Sequence, residues 1–274
     1  MSPTSALIAI GNELLSGAVR DLNVYTLGRQ LTQLGFTVGP AIIVRDEPDR
    51  IVNGLKYLWS QSPAIIVSSG GLGPTEDDLT LSAIAKALDR PLEVNAEART
   101  MVERHYDRLL DQGYLENRGP EAARVKMATL PRDSKPLTNP VGTAPGMQLT
   151  HEGTRLYVLP GVPKELEAMF ATAVLPDLRS HFALKTWAER ALIVHCDDEA
   201  DVAEPIRRGS ERHPDVYVKS PAKPFPAASQ EGLRVIVATS AASQTTAERA
   251  ADTTFSDLRQ TLQDAGFELT TPES

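Results

Sequence analysis

One cysteine, Cys196, is all that the 274 residues contain. A single thiol forms no intrachain disulfide, and no cysteine-based zinc site can be assembled around it. A reducing cytoplasm suits such a chain. Basic charge is also short: 28 Lys and Arg stand against 36 Asp and Glu, a formal net charge of -8. That balance argues against nucleic-acid binding, which needs a basic surface, while a small anionic ligand needs only local donors. Long apolar runs are missing. The opening MSPTSALIAIGNELLSG has no basic leader, and its apolar run breaks at Gly11–Glu13. It reads as neither a signal peptide nor a membrane span, and a cytoplasmic location is expected.

Several catalytic signatures are absent too. There is no HExxH, and His105, His151, His181, His195 and His213 have no metal-ligand spacing. Ser68 and Ser69 lack the context of a nucleophile elbow, and Cys196 reads as a small buried hydrophobe. The glycine-rich stretch SSGGLGPTEDDLT (68–80) is not a Walker A loop, because no Gly-Lys-Ser/Thr follows. Nor is it a dinucleotide fingerprint, since Glu76 stands where the third glycine belongs.

What is present is an alternation of short apolar runs and amphipathic stretches. Residues 6–10, 38–44 and 63–70 read as strands, and 22–34, 47–60 and 75–88 as helices. That order predicts a mostly parallel sheet with helices on both faces. Helices are also expected over 95–112, 120–127 and 163–175, and strands at 146–150 and 155–160, a possible hairpin around HEG. From about 180–186 the pattern changes to β-α-β-β-α, a small α+β unit. Domains of 1–182 and 183–274 follow. PAKPFPAASQEG reads as an exposed loop of the second, and Trp187 and Phe225 suit either a core or an interface.

The glycine loop sets a puzzle. Gly70, Gly71 and Gly73 permit close approach by a ligand, and a strand-loop-helix context favours anions. Yet Glu76, Asp77 and Asp78 follow at once. One reading is structural: Thr75-x-x-Asp78 is a capping box, and acids suit a first helical turn. The other is chemical: a carboxylate holds a divalent cation, and the cation carries the phosphate. Glu13 lies beside Gly11 after the first strand, and Asp46 closes the second. A parallel sheet puts all these strand ends on one edge, so Glu13, Asp46 and Asp78 are expected to approach one another. Asp21 suits a helix cap, with Asn23 beside it. TNPVGTAPG (138–146) has the look of a binding loop, and LPGVPKEL (159–166) turns from strand to helix with Pro163 in the first turn. Lys164 is unfavourable there for the helix dipole, which suggests a nearby anion.

IGNELLSGAVRDLN, SGGLGPTEDDLT, NPVGTAPG and LPGVPKEL, in this order, resemble the N-terminal part of the competence/damage-inducible CinA family. That part is similar to the molybdopterin-binding fold of molybdenum cofactor biosynthesis enzymes (the MoaB/MogA type). The resemblance covers roughly residues 5–180, with a weaker likeness in the small domain after it. It implies a three-layer α/β sandwich, a homodimer, and a nucleotide or pterin ligand at the carboxyl edge of the sheet. It further implies a metal-dependent pyrophosphatase acting on ADP-ribose-type dinucleotides, with Mg2+ or a similar ion as cofactor. Alternatives are nucleotidyl transfer to a pterin and a non-catalytic nucleotide-binding module.

By residue matching, Asp78, Asp46 and Lys164 become the catalytic candidates, and Asp78, Asp46 and Glu13 the metal ligands. Gly11, Glu13, Asn23, Gly70, Gly71, Gly73, Thr75, Asn139, Gly142, Thr143, Gly146 and Gly161 become the binding set. Asn12 replaces a usual Thr, and DDEA (197–200) departs from the relatives' turn. The C-terminal amidohydrolase domain of longer relatives is not among these residues, so that activity is not expected.

Overall fold

Strand β1 (Thr4–Ile10) is buried at six of its seven residues, because the sheet it belongs to is covered on both faces. The computed structural model describes residues 2–221 and 232–272 and divides the chain into two units. The first holds the residues up to Thr32 and Phe36–Phe182. The second holds Gln33–Gly35 and the chain from Ala183 onward.

In the first unit, β1 leads to a short helix α1 (Asn12–Leu15), then α2 (Asn23–Gln33), β2 (Thr37–Val44), α3 (Pro48–Ser60), β3 (Ile65–Ser69) and α4 (Thr80–Ala87). Next come β4 (Leu92–Val94), α5 (Ala96–Asp111), α6 (Glu121–Met127), β5 (Thr129–Pro131), β6 (Lys135–Leu137), β7 (Gly146–His151) and β8 (Thr154–Leu159). The sheet order is β2-β1-β3-β8-β7-β6. The first four strands are parallel, and β7 and β6 are antiparallel additions. β7 and β8 form the hairpin around Glu152 and Gly153.

Alternate residues of each buried strand supply two cores. Ile8, Ile10, Ile66 and Val158 pack with Ile51 and Leu55 of α3 and Ile84 of α4. On the other face, Tyr157 of β8 donates a 2.5 Å hydrogen bond to Asp177 Oδ2. Asp177 sits on a helical run longer than the expected 163–175. This run comprises α7 (Pro163–Met169), a π turn (Phe170–Val174) and α8 (Leu175–His181). Pro176 has no N–H to give to the helical ladder, and the π turn absorbs that break.

The sequence pattern did not disclose α1, β4, β5 or β6. Each has only three or four residues, too few to establish a period. No helix among the described residues is long and apolar enough to cross a membrane.

The second unit contains β9 (Thr186–His195), α9 (Glu199–Glu211), β10 (Tyr217–Lys219), β11 (Leu233–Ala241), α10 (Gln244–Asp264) and β12 (Glu268–Thr270). Its antiparallel sheet runs β10-β11-β9-β12. Leu192, Val194, Val235 and Val237 pack with Val202 of α9 and with Leu258 and Leu262 of α10. The expected β-α-β-β-α therefore gains a closing strand, paired with β9. Trp187 is half-buried, its indole N–H 3.3 Å from Glu189 Oε2. Phe225 and nearly all of PAKPFPAASQEG lie outside the described residues.

Candidate functional site

The four parallel strands point their carboxyl ends to one edge, and backbone bonds tie the turns there. Gly11 N–H donates to Val44 O at 3.1 Å, and Gly70 N–H to Leu159 O at 3.0 Å. Gly70 has φ +103, and a Cβ on it would lie 2.2 Å from Ile10 O. Only glycine lets the turn after β3 pass so close to the end of β1. The Thr80 hydroxyl then donates to Gly70 O at 2.8 Å, pinning the turn to the start of α4. The N–H groups of Gly71, Leu72 and Gly73 have no acceptor among the described residues. Free amides on a glycine turn suit an anion.

The helix expected over 75–88 begins only at Thr80 and has no side-chain cap. Thr75 and Asp78 therefore form no capping box. They close a turn of the loop instead. Thr75 N–H and Oγ1 contact Asp78 Oδ2 at 2.9 and 2.6 Å, and Asp78 N–H donates to Thr75 O at 3.1 Å. Side-chain bonds of this kind satisfy a non-helical backbone and so delay the helix. Thr75 Oγ1 also lies 2.5 Å from Asp77 Oδ1. That hydroxyl, aided by the charge of Lys126, holds the Asp77 carboxyl below the usual range. The Lys126 ammonium also donates to Thr75 O.

Asp46 accepts a 2.6 Å hydrogen bond from the Asn12 N–H. Its carboxyl is nevertheless pushed above the ordinary value, first by burial and then by the charges of Glu13 and Asp77, against the lowering effect of Asn12. The glycine-loop acid that acts on Asp46 is thus Asp77, whereas Asp78 turns toward Thr75. Among the described residues, no three His, Cys, Asp or Glu side chains are gathered to hold a metal ion. The trio Glu13, Asp46 and Asp78 is therefore not assembled as a ready-made cage. Neither Glu13 nor Asp46 is paired with a cationic side chain among the described residues.

Asn23 is buried and donates from Nδ2 to Gly161 O at 2.8 Å, while its Oδ1 is buried without a partner. Asp21 Oδ1 accepts from Asn23 N–H at 2.8 Å, the cap expected for α2. Gly161 approaches Gly70 closely. Lys164 is exposed, and its ammonium has no hydrogen-bond or ion-pair partner among the described residues.

In the 138–146 loop, the buried Asn139 is the organiser. Its Oδ1 accepts from Val141 and Gly142 N–H, and its Nδ2 donates to Ala144 O at 3.0 Å and Glu165 Oε2 at 2.7 Å. A Cβ on Gly142 would strike the Glu165 carboxylate at 2.2 Å. Thr143 is half-buried beside it. Gly146 belongs elsewhere. It opens β7, is buried, and its missing Cβ leaves room for Val158 O and the Met169 methyl, so it serves strand packing. Sequence reasoning overlooked Glu165 and Lys126, and read Asp77 only as capping charge. The only signal for Glu165 was an acid in a first helical turn, which reads as ordinary dipole compensation.

The sequence profile of a family described as "Probable molybdopterin binding domain" matches residues 6–180. A protein of Pyrobaculum calidifontis is 41% identical over 218 residues, 80% of each chain. Protein PAE0875 of Pyrobaculum aerophilum is 40% identical over 225 residues, 82% of each chain. Among solved structures, the CinA protein of Thermoplasma acidophilum, described as of unknown function, is 34% identical. It superposes with a TM-score of 0.58, covering 65% of this chain and 98% of that one.

Proposed function

The chain belongs to the probable molybdopterin-binding domain family, as a CinA-like member, and on that premise we propose that its first unit is a metal-dependent nucleotide diphosphatase. The substrate class is an ADP-ribose-type dinucleotide, cut by water at its P–O–P bond to a nucleoside monophosphate and a second phosphate ester. The observation that carries this reading is a pairing of opposites at one sheet edge. Glu13, Asp46 and Asp77 concentrate negative charge beside a glycine turn in which the N–H groups of Gly71, Leu72 and Gly73 have no acceptor among the described residues.

Those two features are compatible if a cation lies between the acids and the phosphates. Magnesium does not need a complete protein cage, since one or two carboxylates and substrate phosphates suffice. Asp46 and Glu13 fit that role, because their negative charges lie near one another without a cationic partner among the described residues. A divalent ion held there would neutralise phosphoryl charge and polarise the P–O bond. The chain's own contributions are separate. The N–H groups of Gly71, Leu72 and Gly73 would orient the diphosphate, and Lys164 would neutralise charge on the leaving phosphate. Asp78, with Oδ2 held by Thr75, would shape the loop and leave Oδ1 to face the ligand.

A second reading compatible with a molybdopterin-binding description is nucleotidyl transfer to a pterin, which a product assay separates. Purified protein is incubated with ADP-ribose, FAD or NAD, with Mg2+ or with EDTA. The expected result is AMP release that EDTA stops and that Asp46→Asn reduces sharply. Adenylylated pterin formed from ATP and a pterin, with no AMP released from any dinucleotide, would replace the diphosphatase reading.

A further inference from the structure

The amino ends of the parallel strands border a cavity of about 400 Å³, lined where β1 begins at Thr4, β3 follows Ala64 and β8 begins at Thr154. The seven residues of β1, a length of roughly 20 Å, separate this edge from the glycine turns. We propose that the cavity binds a primary alkylammonium ion, with its head on Glu152 and its alkyl body against Trp59. This site is independent of the diphosphatase reading.

Charge decides the sign of the ligand. Among the described residues, Glu152 is the one acidic or basic side chain that lines the cavity, and it has no hydrogen-bond or ion-pair partner there. Helix α3 ends at Ser60, between Trp59 and Ser62 of the lining, and has no basic residue in its last turn. The carbonyl end of a helix favours a cation, so helix end and carboxylate act in the same sense.

The hairpin does not account for the acid. Glu152 and Gly153 join β7 to β8 with φ 48 and φ 84. Two left-handed residues make a type I′ turn, which Asn-Gly fits best, and a long side chain at the first position is strained. Among the described non-glycine residues, positive φ occurs at Ser62, Asp89, Asp133 and Glu152, and Ser62 and Glu152 both line this cavity.

The walls select the head group and the body. Thr154 is buried, and its hydroxyl donates to Pro63 O at 2.7 Å, which leaves its lone pairs to accept. With the Glu152 carboxylate it suits a head that carries N–H donors. The Trp59 indole N–H is closed off from solvent, so the ring presents carbon to the cavity, as do Pro3, Pro63 and Ala64. An alkyl chain laid there leaves water. Pockets for small molecules span roughly 300–1,000 Å³, and 400 Å³ fits an amine of a few carbons.

Calorimetric titration with butylammonium, tetramethylammonium and butan-1-ol tests the proposal. Tetramethylammonium has the charge without N–H donors, and butan-1-ol has the chain without the charge. Butylammonium is expected to bind at one site, about tenfold or more tightly than either. Glu152→Asn and Glu152→Gln are both expected to abolish that preference. Glu152→Asn should also melt at or above the wild-type temperature, because Asn-Gly suits the turn, so its loss of binding is not a loss of fold. Trp187→Phe leaves Trp59 as the sole tryptophan. Its fluorescence should change on addition of butylammonium, and should not change once Glu152→Asn is added. Absence of butylammonium binding, equal affinity for all three probes, or a preference that survives both Glu152 variants would overturn the proposal.

Discussion

Asn12 and Asp46 are 34 positions apart in sequence, and the backbone N–H of one lies 2.6 Å from the carboxylate of the other. The bond fastens the loop after β1 to the end of β2 and fixes one oxygen of Asp46. The other oxygen remains to act beside Glu13 and Asp77.

Because burial and acidic neighbours raise the Asp46 carboxyl in the folded state, ionised Asp46 opposes folding. Its unfavourable contribution is absent below the unfolded value of about 4 and develops as pH rises through the folded value. Asp46→Asn keeps an acceptor for Asn12 and removes the charge. The variant is expected to melt above the wild type at pH 7, with the difference closing as the pH falls below about 4. Diphosphatase activity should fall by about two orders of magnitude or more. Thermal scans across pH, paired with AMP release, check both parts. A variant that melts lower at pH 7 contradicts the electrostatic account.

Gly70→Ala would place a methyl carbon 2.2 Å from Ile10 O at φ +103. Backbone cannot yield there as a flexible side chain would, so a loss of about 2–4 kcal/mol is expected. Chemical denaturation measures it. Gly153→Ala, with positive φ but open space around its Cβ, is the comparison and should cost about 1 kcal/mol.

Asn139→Ala removes the acceptor for two N–H groups and the donor to Ala144 O and Glu165. Stranded polar groups in this buried setting should cost about 2–3 kcal/mol. The loosened 140–145 loop should lower kcat/KM by about tenfold to a hundredfold. Glu165→Gln still offers an acceptor to Asn139 and is expected to retain most of the stability. Equal losses in both variants would show that the Glu165 charge, and not the hydrogen bond, holds the loop.

Tyr157→Phe tests the opposite face of the sheet, remote from the proposed chemistry. The Asp177 carboxylate loses the 2.5 Å hydroxyl and keeps Arg155 at 3.1 Å. A destabilisation of about 1–2 kcal/mol with unchanged turnover per folded molecule is expected. A marked loss of kcat in this variant would mean that the sheet transmits strain from this pair to the edge.

The alternation of strands and helices was legible because burial on both faces writes itself into continuous apolar runs such as ALIAI. The shared edge followed from that alternation, and with it the meeting of the Gly11, Gly70 and Gly161 turns. Two things were not legible. Loop conformation depends on side-chain bonds to backbone, so Thr75 and Asp78 could equally have opened a helix or closed a turn. A loop's internal scaffold also looks like its binding surface in one dimension. Asn139 and Gly142 sit in one small-residue stretch, yet the first is buried and saturated while the second presses on Glu165, far along the chain. Gly146, in the same stretch, belongs to a strand.

The π turn at Phe170–Val174 sets the phase of everything that follows it. Such a turn holds one residue more than an α turn, and one residue is about 100° of helical rotation. Leu178 faces the interior, and Asp177 meets Tyr157 and Arg155, only with that rotation included. A single-residue deletion there would restore regular helix geometry while turning Asp177 away from its partners. The irregularity acts as a reading-frame marker for the helix, and the half-buried Asp177 carboxylate is what it keeps in frame.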